Sequence, residues 1–127
     1  MLCYNTVVMG ITSVPLTVKN PFIPTKTAMG EFLVDSGAHF TVVPARMVKL
    51  LGLKPSYSQR FSLADGKIME RKVGNATVRL DDRDMIVPVV LGEPGDGALL
   101  GVTTLESFGL MLDPFKRKLY HSKLMLA

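Results

Sequence analysis

The sequence predicts a mostly β protein, a small closed β-barrel with one or two short helices. Short runs of β-branched and aromatic residues recur along the 127 residues, and glycine or proline separates most of them. This spacing is typical of many short strands joined by turns. The length suits one compact domain, and we see no repeat or linker, so we expect a single domain over residues 1–127.

The first third of the chain predicts strands around one connection. The run TVVMGITSVPLTV indicates one or two strands between Thr6 and Val18, interrupted by glycine and proline. The segment KNPFIPTKTAMG, with two prolines, predicts a turn-rich connection. The segment EFLVDSGAHFTVV then predicts a buried strand that breaks at Ser36-Gly37 and resumes at Phe40.

A short helix is predicted in PARMVKLLGL. Pro44 suits the first helical position, because its missing N–H has no partner there in any case. Val48, Leu50 and Leu51 form the expected apolar face. Gly52 supplies the left-handed residue that ends many helices.

The second half predicts mainly hairpins. Asp65-Gly66 lies between FSLA and KIME and favours a type I′ turn, since aspartate and glycine tolerate positive φ. NATVRL and MIVPVVL read as strands, with DDRD turning between them. Thr103 and Glu106 have capping-box spacing for a second helix, which Gly109 ends. MLDPFKRKLYHSKLMLA predicts a strand, a turn and a strand.

The charge pattern does not favour a nucleic-acid partner. The net charge is +4 and the pI about 9.4, but the basic residues are scattered. Only FKRK at 115–118 forms a dense cluster, and a solvated turn explains it better than a nucleic-acid site.

Other gross features indicate a soluble, cytoplasmic protein with no membrane contact. The single cysteine, Cys3, cannot form an intrachain disulfide, which favours a reducing compartment. The N-terminal segment has no basic region ahead of its apolar stretch, unlike a signal peptide. No apolar stretch approaches the roughly 20 residues of a membrane span.

One acidic residue stands out, because Asp35 directly follows the apolar run FLV in LVDSGA. A carboxylate at the end of a buried strand is costly unless it is hydrogen-bonded or paired. Asp35 could cap its own backbone in a turn, or it could serve chemistry in a loop that Ser36, Gly37 and Ala38 keep small. The triplet by itself favours the turn.

Three motifs in order change this balance. FLVDSGA, the hairpin in LADGK, and ALLGVTTLESFGL stand in the order and at the spacing of the retropepsin-like aspartic proteases, single-domain relatives of pepsin. The stretch from about Thr6 to Leu119 resembles the small prokaryotic members of that group.

The resemblance implies an aspartic endopeptidase that acts on peptide or protein substrates as a homodimer. Asp35 would be the catalytic residue, and because the chain has one such triplet, the second carboxylate would come from a second subunit. Two carboxylates so close share one proton. Ser36 would brace the loops across the twofold axis, and Gly37 would keep its own peptide group close to the two Asp35 carboxylates. Ala38 and His39 would border the substrate channel.

The resemblance also implies two supporting elements and no cofactor. The turn Ala64, Asp65, Gly66 and Lys67 would be the tip of a flap that closes over the peptide. Leu99, Leu100 and Gly101 would support the catalytic loop.

No metal is expected, because Cys3, His39 and His121 lack ligand spacing. The alternatives are a weak or inactive dimerisation or peptide-binding module on the same fold, and an unrelated barrel that contains this turn.

Overall fold

The computed structural model describes residues 6–8, 11–113, 115–116 and 118–122, with the backbone alone at residues 6–8 and 11. The chain forms ten strands and two helices within these residues. They are β1 (Thr6–Val8), β2 (Ile11–Lys19), β3 (Thr27–Val34), β4 (Thr41–Val43), α1 (Ala45–Leu51), β5 (Pro55–Ser62), β6 (Ile68–Leu80), β7 (Arg83–Leu91), β8 (Leu99–Leu100), α2 (Val102–Ser107), β9 (Leu110–Asp113) and β10 (Lys118–His121).

Eight strands form one sheet in the order β1-β2-β3-β8-β4-β7-β6-β5, and β9 pairs with β10 in a separate hairpin. β2 also pairs with β6, so β2, β3, β8, β4, β7 and β6 close into a ring. The pairs are antiparallel except β3 with β8 and β4 with β7. The mostly β class predicted from the sequence is confirmed.

Apolar side chains from alternate strand positions fill the interior of this ring. Val14, Leu16 and Val18 of β2 are fully buried, and Phe32 of β3 and Phe108 after α2 are the largest buried side chains. This period of two is what a strand with one face on the core requires.

Two strands are longer than the sequence predicts. β3 begins at Thr27, because the ladder with β2 already pairs Thr27 with Lys19, within the predicted connection. β6 runs unbroken from Ile68 to Leu80 and replaces two predicted strands. It stays continuous because β5 pairs with its first half and β7 with its second half.

The type I′ turn is at a different hairpin from the predicted one. Asp81 and Asp82, with φ of 57° and 55°, connect β6 to β7, so the predicted turn shortens to these two residues. At the predicted site only Gly66 has positive φ, at 86°. There the Gly66 N–H donates to the Leu63 carbonyl and the Leu63 N–H to the Lys67 carbonyl. The longer loop needs one left-handed residue, not two.

Helix α1 differs from the prediction in its start and its apolar face. Pro44 is the extended N-cap residue and the helix begins at Ala45, a difference of one position. Met47 and Leu51, four residues apart, face the core, whereas Leu50 is 65% exposed. Gly52 ends the helix with φ of 65°, as predicted.

Helix α2 does not use the predicted capping box. It begins at Val102, its N-cap residue is Gly101, and no side chain caps it. The N–H groups of Val102 and Thr103 donate instead to the carbonyls of Ala38 and His39, at 2.8 and 2.9 Å. Backbone contact with the loop between β3 and β4 therefore replaces the side-chain cap. Gly109 follows the helix with φ of 67°, as predicted.

The predicted strand, turn and strand at the end of the chain is the β9–β10 hairpin. Asp113 Oδ1 accepts the N–H groups of Lys116 and Phe115, which folds the turn and holds the pKa of this carboxyl below its usual range. Phe115 is 94% exposed, and Lys116 and Lys118 are exposed too. The predicted exposed turn is confirmed for these residues, and the remainder of FKRK lies outside the described residues.

Candidate active site

The Asp-Ser-Gly loop connects β3 to β4 and is held by β8. The Asp35 N–H donates to the Leu100 carbonyl at 3.1 Å, and the Leu33 N–H donates to the Ala98 carbonyl at 3.0 Å. These bonds extend the parallel β3–β8 ladder to the first residue of the loop. The buried apolar run FLV therefore ends where the backbone is still fixed, and Asp35 follows it directly.

Asp35 is half-buried, and its carboxylate caps its own loop. Oδ1 accepts the Gly37 N–H at 2.8 Å, and the Ala38 N–H donates to the Asp35 carbonyl at 3.1 Å. A Cβ at Gly37 would lie 3.2 Å from Asp35 Oδ1, closer than most side-chain contacts. The Asx-type turn predicted as an alternative is therefore present. The turn uses only Oδ1, so Oδ2 can still accept a hydrogen bond from a ligand or from a second carboxyl group.

Two buried threonines fix the other end of the loop. Thr41 Oγ1 and Thr104 Oγ1 share a hydrogen bond of 2.6 Å, and Thr41 Oγ1 accepts the Gly101 N–H at 3.1 Å. Both threonines are fully buried. They connect the start of β4 to the β8–α2 junction, so the loop between β3 and β4 is fastened at both ends.

Gly101 allows this junction because the chains touch there. A Cβ at Gly101 would lie 2.4 Å from the Phe40 carbonyl carbon and 2.8 Å from the Thr41 nitrogen. Both atoms are backbone, so they cannot move aside as a side chain would. Leu100 is fully buried and Leu99 is partly buried, beside the loop.

A groove of about 850 Å³ opens next to the loop. Its walls come from the loop, the β5–β6 hairpin and the segment before β8. The lining residues are Asp35, Gly37, Ala38, His39, Phe40, Val42, Gln59, Arg60, Phe61, Ser62, Leu63, Ala64, Met69, Arg71, Val90, Asp96, Gly97 and Leu99.

The groove brings together about half of the predicted site residues. Asp35, Gly37, Ala38, His39, Ala64 and Leu99 line it. The other predicted site residues are not among those that line the groove: Ser36, Asp65, Gly66, Lys67, Leu100 and Gly101. Asp65 and Lys67 instead bond to each other at the hairpin tip, where Asp65 Oδ1 accepts the Lys67 N–H at 3.0 Å. The charges at this tip therefore do not lie in the groove.

An aromatic contact joins the hairpin to the loop. The centroid of the Phe40 ring lies 4.7 Å from that of the His39 ring and 6.1 Å from that of the Phe61 ring, and both pairs are edge-to-face. Phe61 belongs to β5 and pairs in register with Met69 of β6. This contact places the face of the hairpin that carries Phe61 and Met69 beside the loop that holds Asp35.

An ion pair in the groove was not predicted from the sequence. Arg71 of β6 makes two hydrogen bonds to Asp96, from Nε to Oδ2 at 2.7 Å and from a terminal nitrogen to Oδ1 at 3.0 Å. Asp96 Oδ2 also accepts the Glu93 N–H at 2.9 Å. The bonds from Arg71 hold the pKa of Asp96 below its usual range, although burial acts in the opposite direction. Both carboxylate oxygens are thus engaged, so Asp96 does not offer Asp35 a proton-sharing partner.

Some of the missed lining residues had a signal in the sequence. Once the turn is centred on Asp65-Gly66, alternation places Phe61 with Gln59, and Met69 with Arg71, on one face of the hairpin. Asp96 had no such signal, because it lies 25 positions from Arg71 in the sequence and only the fold brings the two together.

No group of three or more His, Cys, Asp or Glu that could hold a metal is present in the described parts of the chain. Cys3 lies outside them, and a metal-free site stays a prediction. Among the same residues, neither helix has the length and apolar character needed to cross a membrane.

Comparison with known proteins agrees with this geometry. A family model described as "Aspartyl protease" matches residues 14–104, well over half of the chain. The crystal structure of a retropepsin-like aspartic protease from Rickettsia conorii is similar, with a TM-score of 0.55 and 23% identity over 93% of this chain and 95% of that one. The solution structure of simian foamy virus (mac) protease has a TM-score of 0.50 and 20% identity over 74% of this chain and 93% of that one.

No curated protein matches the chain at a significant level. The two structural likenesses show the retropepsin-like fold, and the family model spans the Asp-Ser-Gly loop, the hairpin and the β8–α2 junction. The chain therefore belongs to the aspartyl protease family.

Proposed function

We propose that this protein is an aspartic endopeptidase that acts as a homodimer, with one Asp35 from each subunit in a shared active site. The observation that carries the proposal is the position of Asp35, half-buried at the end of a fixed strand and lining a groove of about 850 Å³. The family membership supports peptide-bond hydrolysis as the reaction.

The proposed mechanism needs two facing carboxylates that hold one proton between them. The ionised carboxylate takes a proton from a water molecule, and the water oxygen adds to the carbonyl carbon of the peptide. The protonated carboxyl gives its proton to the carbonyl oxygen. The C–N bond of the tetrahedral intermediate then breaks as the first Asp35 passes the proton it took from water to the leaving nitrogen. One hydroxyl of the intermediate returns a proton to the second Asp35, which leaves a carboxylic acid and an amine.

The contacts around Asp35 suit this task. The Gly37 N–H holds Oδ1, which fixes the orientation of the carboxylate and leaves Oδ2 for the water and the second Asp35. Among the described residues, Asp96 is the other aspartate that lines the groove, and it is bound to Arg71 through both oxygens. A second subunit is the natural source of the partner carboxylate.

The β5–β6 hairpin is proposed as the flap. Ser62, Leu63 and Ala64 line the groove near its tip, and Phe61 packs on Phe40 beside the Asp35 loop. Asp65 and Lys67 pair with each other at the tip, and neither lines the groove, so near the tip the hairpin presents Ser62, Leu63 and Ala64 to it. A closed flap would exclude water from the reacting bond.

The test is peptide cleavage by the wild type and by Asp35→Asn, which keeps the shape of the side chain and cannot supply a carboxylate. Asp82→Asn is the matched control, since Asp82 is an exposed turn residue with positive φ that asparagine tolerates. A peptide library is incubated with each protein from acidic to neutral pH. We expect cleavage by the wild type and by Asp82→Asn, rising faster than linearly with protein concentration.

Loss of cleavage in Asp35→Asn alone supports the proposal. Equal cleavage by Asp35→Asn and the wild type contradicts it. The absence of cleavage at concentrations where sedimentation shows a dimer favours the alternative of a non-enzymatic peptide-binding module, which saturable peptide binding to all three proteins would then demonstrate.

A further inference from the structure

The β5–β6 hairpin leaves the sheet at a definite residue. β6 pairs with β7 from Lys72, opposite Leu91, onwards. From Arg71 back to Ile68 it pairs with β5 alone, and Arg71 is opposite Gln59. We call residues 59–71 the hairpin arm. Because the arm is attached to the ring through one strand pair at its base, the orientation of its base sets the width of the groove.

The Arg71–Asp96 ion pair lies at this base. Arg71 is the last residue of the arm, and Asp96 lies in the segment that joins β7 to β8. Two parallel hydrogen bonds of 2.7 and 3.0 Å fix both the distance and the orientation of the two groups. The Arg71 side chain is 15% exposed and that of Asp96 is 21% exposed, so water and salt screen the pair only in part.

Asp96 is itself held rigidly. Its N–H donates to the Glu93 carbonyl and its Oδ2 accepts the Glu93 N–H, both at 2.9 Å. Gly95, with φ of 93°, completes this tight turn. Two residues later, the Ala98 carbonyl accepts the Leu33 N–H. The arm is therefore fastened, through Asp96, to the segment that supports the strand before Asp35.

We propose that Arg71 and Asp96 are a positioning pair that holds the hairpin arm over the groove and so sets the affinity for a peptide substrate. This inference rests on the proposed function for its kinetic consequence. Beyond its strand pairs, the arm is held by the aromatic contact of Phe61 with Phe40 towards the tip and by Arg71 at the base. Arg71 bonds to Asp96 and also lies 3.7 Å from a carboxylate oxygen of Glu93. Neither residue of the pair takes part in bond cleavage.

A second ion pair, also made by an arginine of β6, provides the control. Arg79 of β6 and Asp84 of β7 bond at 3.1 Å, at the far end of the β6–β7 ladder. Their side chains are 45% and 38% exposed, and neither residue lines the groove. Asp84→Asn therefore removes the same charge as Asp96→Asn and weakens a bond to an arginine of β6, without touching the arm. Asp84 also bonds to Lys19 of β2, at 3.0 Å.

The experiment compares the wild type, Asp96→Asn, Arg71→Lys and the control Asp84→Asn. Arg71→Lys keeps the charge but cannot make two parallel bonds, and it serves if Asp96→Asn unfolds. NMR relaxation of the arm amides, including those of Leu63 and Gly66, reports motion of the arm. Steady-state cleavage gives kcat and KM, and titration with a statine-type peptide mimic gives a Kd.

We expect Asp96→Asn to raise KM and the Kd of the mimic about tenfold with little change in kcat, because a lost positioning contact weakens binding of substrate and transition state alike. Arm amides should gain motion on the microsecond to millisecond timescale. Arg71→Lys should show a smaller effect in the same direction, and Asp84→Asn none.

The outcomes separate this inference from the proposed function. Suppose that none of the four proteins cleaves peptides, but that Asp96→Asn increases the motion of the arm amides and raises the Kd of the mimic. The positioning role then stands and the protease proposal fails. If Asp96→Asn and Asp84→Asn match the wild type in arm motion and in Kd, the positioning role is wrong, whether or not cleavage occurs. A fall in kcat at unchanged KM would also overturn it.

Discussion

Replacing Thr41 with valine removes one buried hydroxyl at the junction that fixes the Asp35 loop. The two side chains have nearly the same shape, so the change removes hydrogen bonds with little loss of packing. Thr41 Oγ1 accepts the Gly101 N–H at 3.1 Å and shares a 2.6 Å hydrogen bond with Thr104 Oγ1. All three residues are buried, so water cannot replace the lost partner.

The size of the effect follows from the number of groups left without a partner. Each buried donor or acceptor without a partner costs about 1–3 kcal/mol. Thr41→Val strands the Gly101 N–H and the Thr104 hydroxyl, so we expect a loss of about 3 kcal/mol. Thr104→Val strands only the hydroxyl proton or lone pair of Thr41, whose bond to Gly101 remains, so we expect about 1 kcal/mol. Small domains have total stabilities of about 5–15 kcal/mol, so both losses are measurable.

The assay is urea unfolding of the wild type, both single variants and the double variant. The double variant leaves only the Gly101 N–H stranded, so its loss should be about 1.5 kcal/mol, half that of Thr41→Val. The two single losses sum to about 4 kcal/mol, so the coupling between the two threonines should be about 2.5 kcal/mol. The slope of the unfolding free energy against urea concentration should stay constant, because the surface area exposed on unfolding is unchanged. Equal losses in the two single variants, or strict additivity in the double variant, would refute the reasoning.

Three further predictions concern single substitutions. Gly101→Ala should prevent folding or lower the free energy of unfolding by about 3 kcal/mol or more, since its Cβ would overlap backbone atoms of Phe40 and Thr41; a wild-type urea midpoint would contradict this. Gly37→Ala should lower peptide cleavage by about tenfold or more with a stability change within about 0.5 kcal/mol, because the new Cβ lies 3.2 Å from Asp35 Oδ1; unchanged cleavage would contradict it. Hydrogen bonds from Lys19 and Arg79 lower the pKa of Asp84 in the folded protein. Its contribution to stability is therefore complete above the unfolded value of about 3.9 and is lost as the pH falls through the lower folded value. The stability difference between wild type and Asp84→Asn should shrink below about pH 4 in acid titrations, and a difference that is constant from neutral to acidic pH would count against this linkage.

The Asp35 loop could be predicted because its signal is local. The apolar run, the acid and the small residues that follow are contiguous in the sequence, and a buried strand that ends at an acid limits what the loop can do. The order of three motifs then pointed to the family that the comparisons show.

Turn types and helix caps were harder to predict, because neighbouring segments compete for the same preferences. Asp65-Gly66 and Asp81-Asp82 both tolerate left-handed conformations, and only strand register decides which loop has two residues. The spacing of Thr103 and Glu106 fits a capping box, but the carbonyls of Ala38 and His39 satisfy the helix instead. Such tertiary contacts override local propensity.

The groove depends on contacts between distant segments, and these contacts are the part of the structure that the sequence predicts least well. Arg71 and Asp96 are each ordinary charged residues, and their pairing follows from where β6 leaves β7 and where the turn before β8 points. The contact of Phe61 with Phe40 likewise depends on how the hairpin arm lies against the loop.

The central claim is that each active site contains two Asp35 carboxylates from two chains, and mixing tests it directly. Wild type and Asp35→Asn are combined at a fixed total concentration and allowed to exchange subunits, and peptide cleavage is measured as the fraction of wild type is varied. If both carboxylates are needed, only dimers of two wild-type chains cleave, and activity falls as the square of that fraction, to about one quarter at equal mixing. A linear decline, to about one half at equal mixing, would show that each chain cleaves with its own Asp35 and would contradict the shared site.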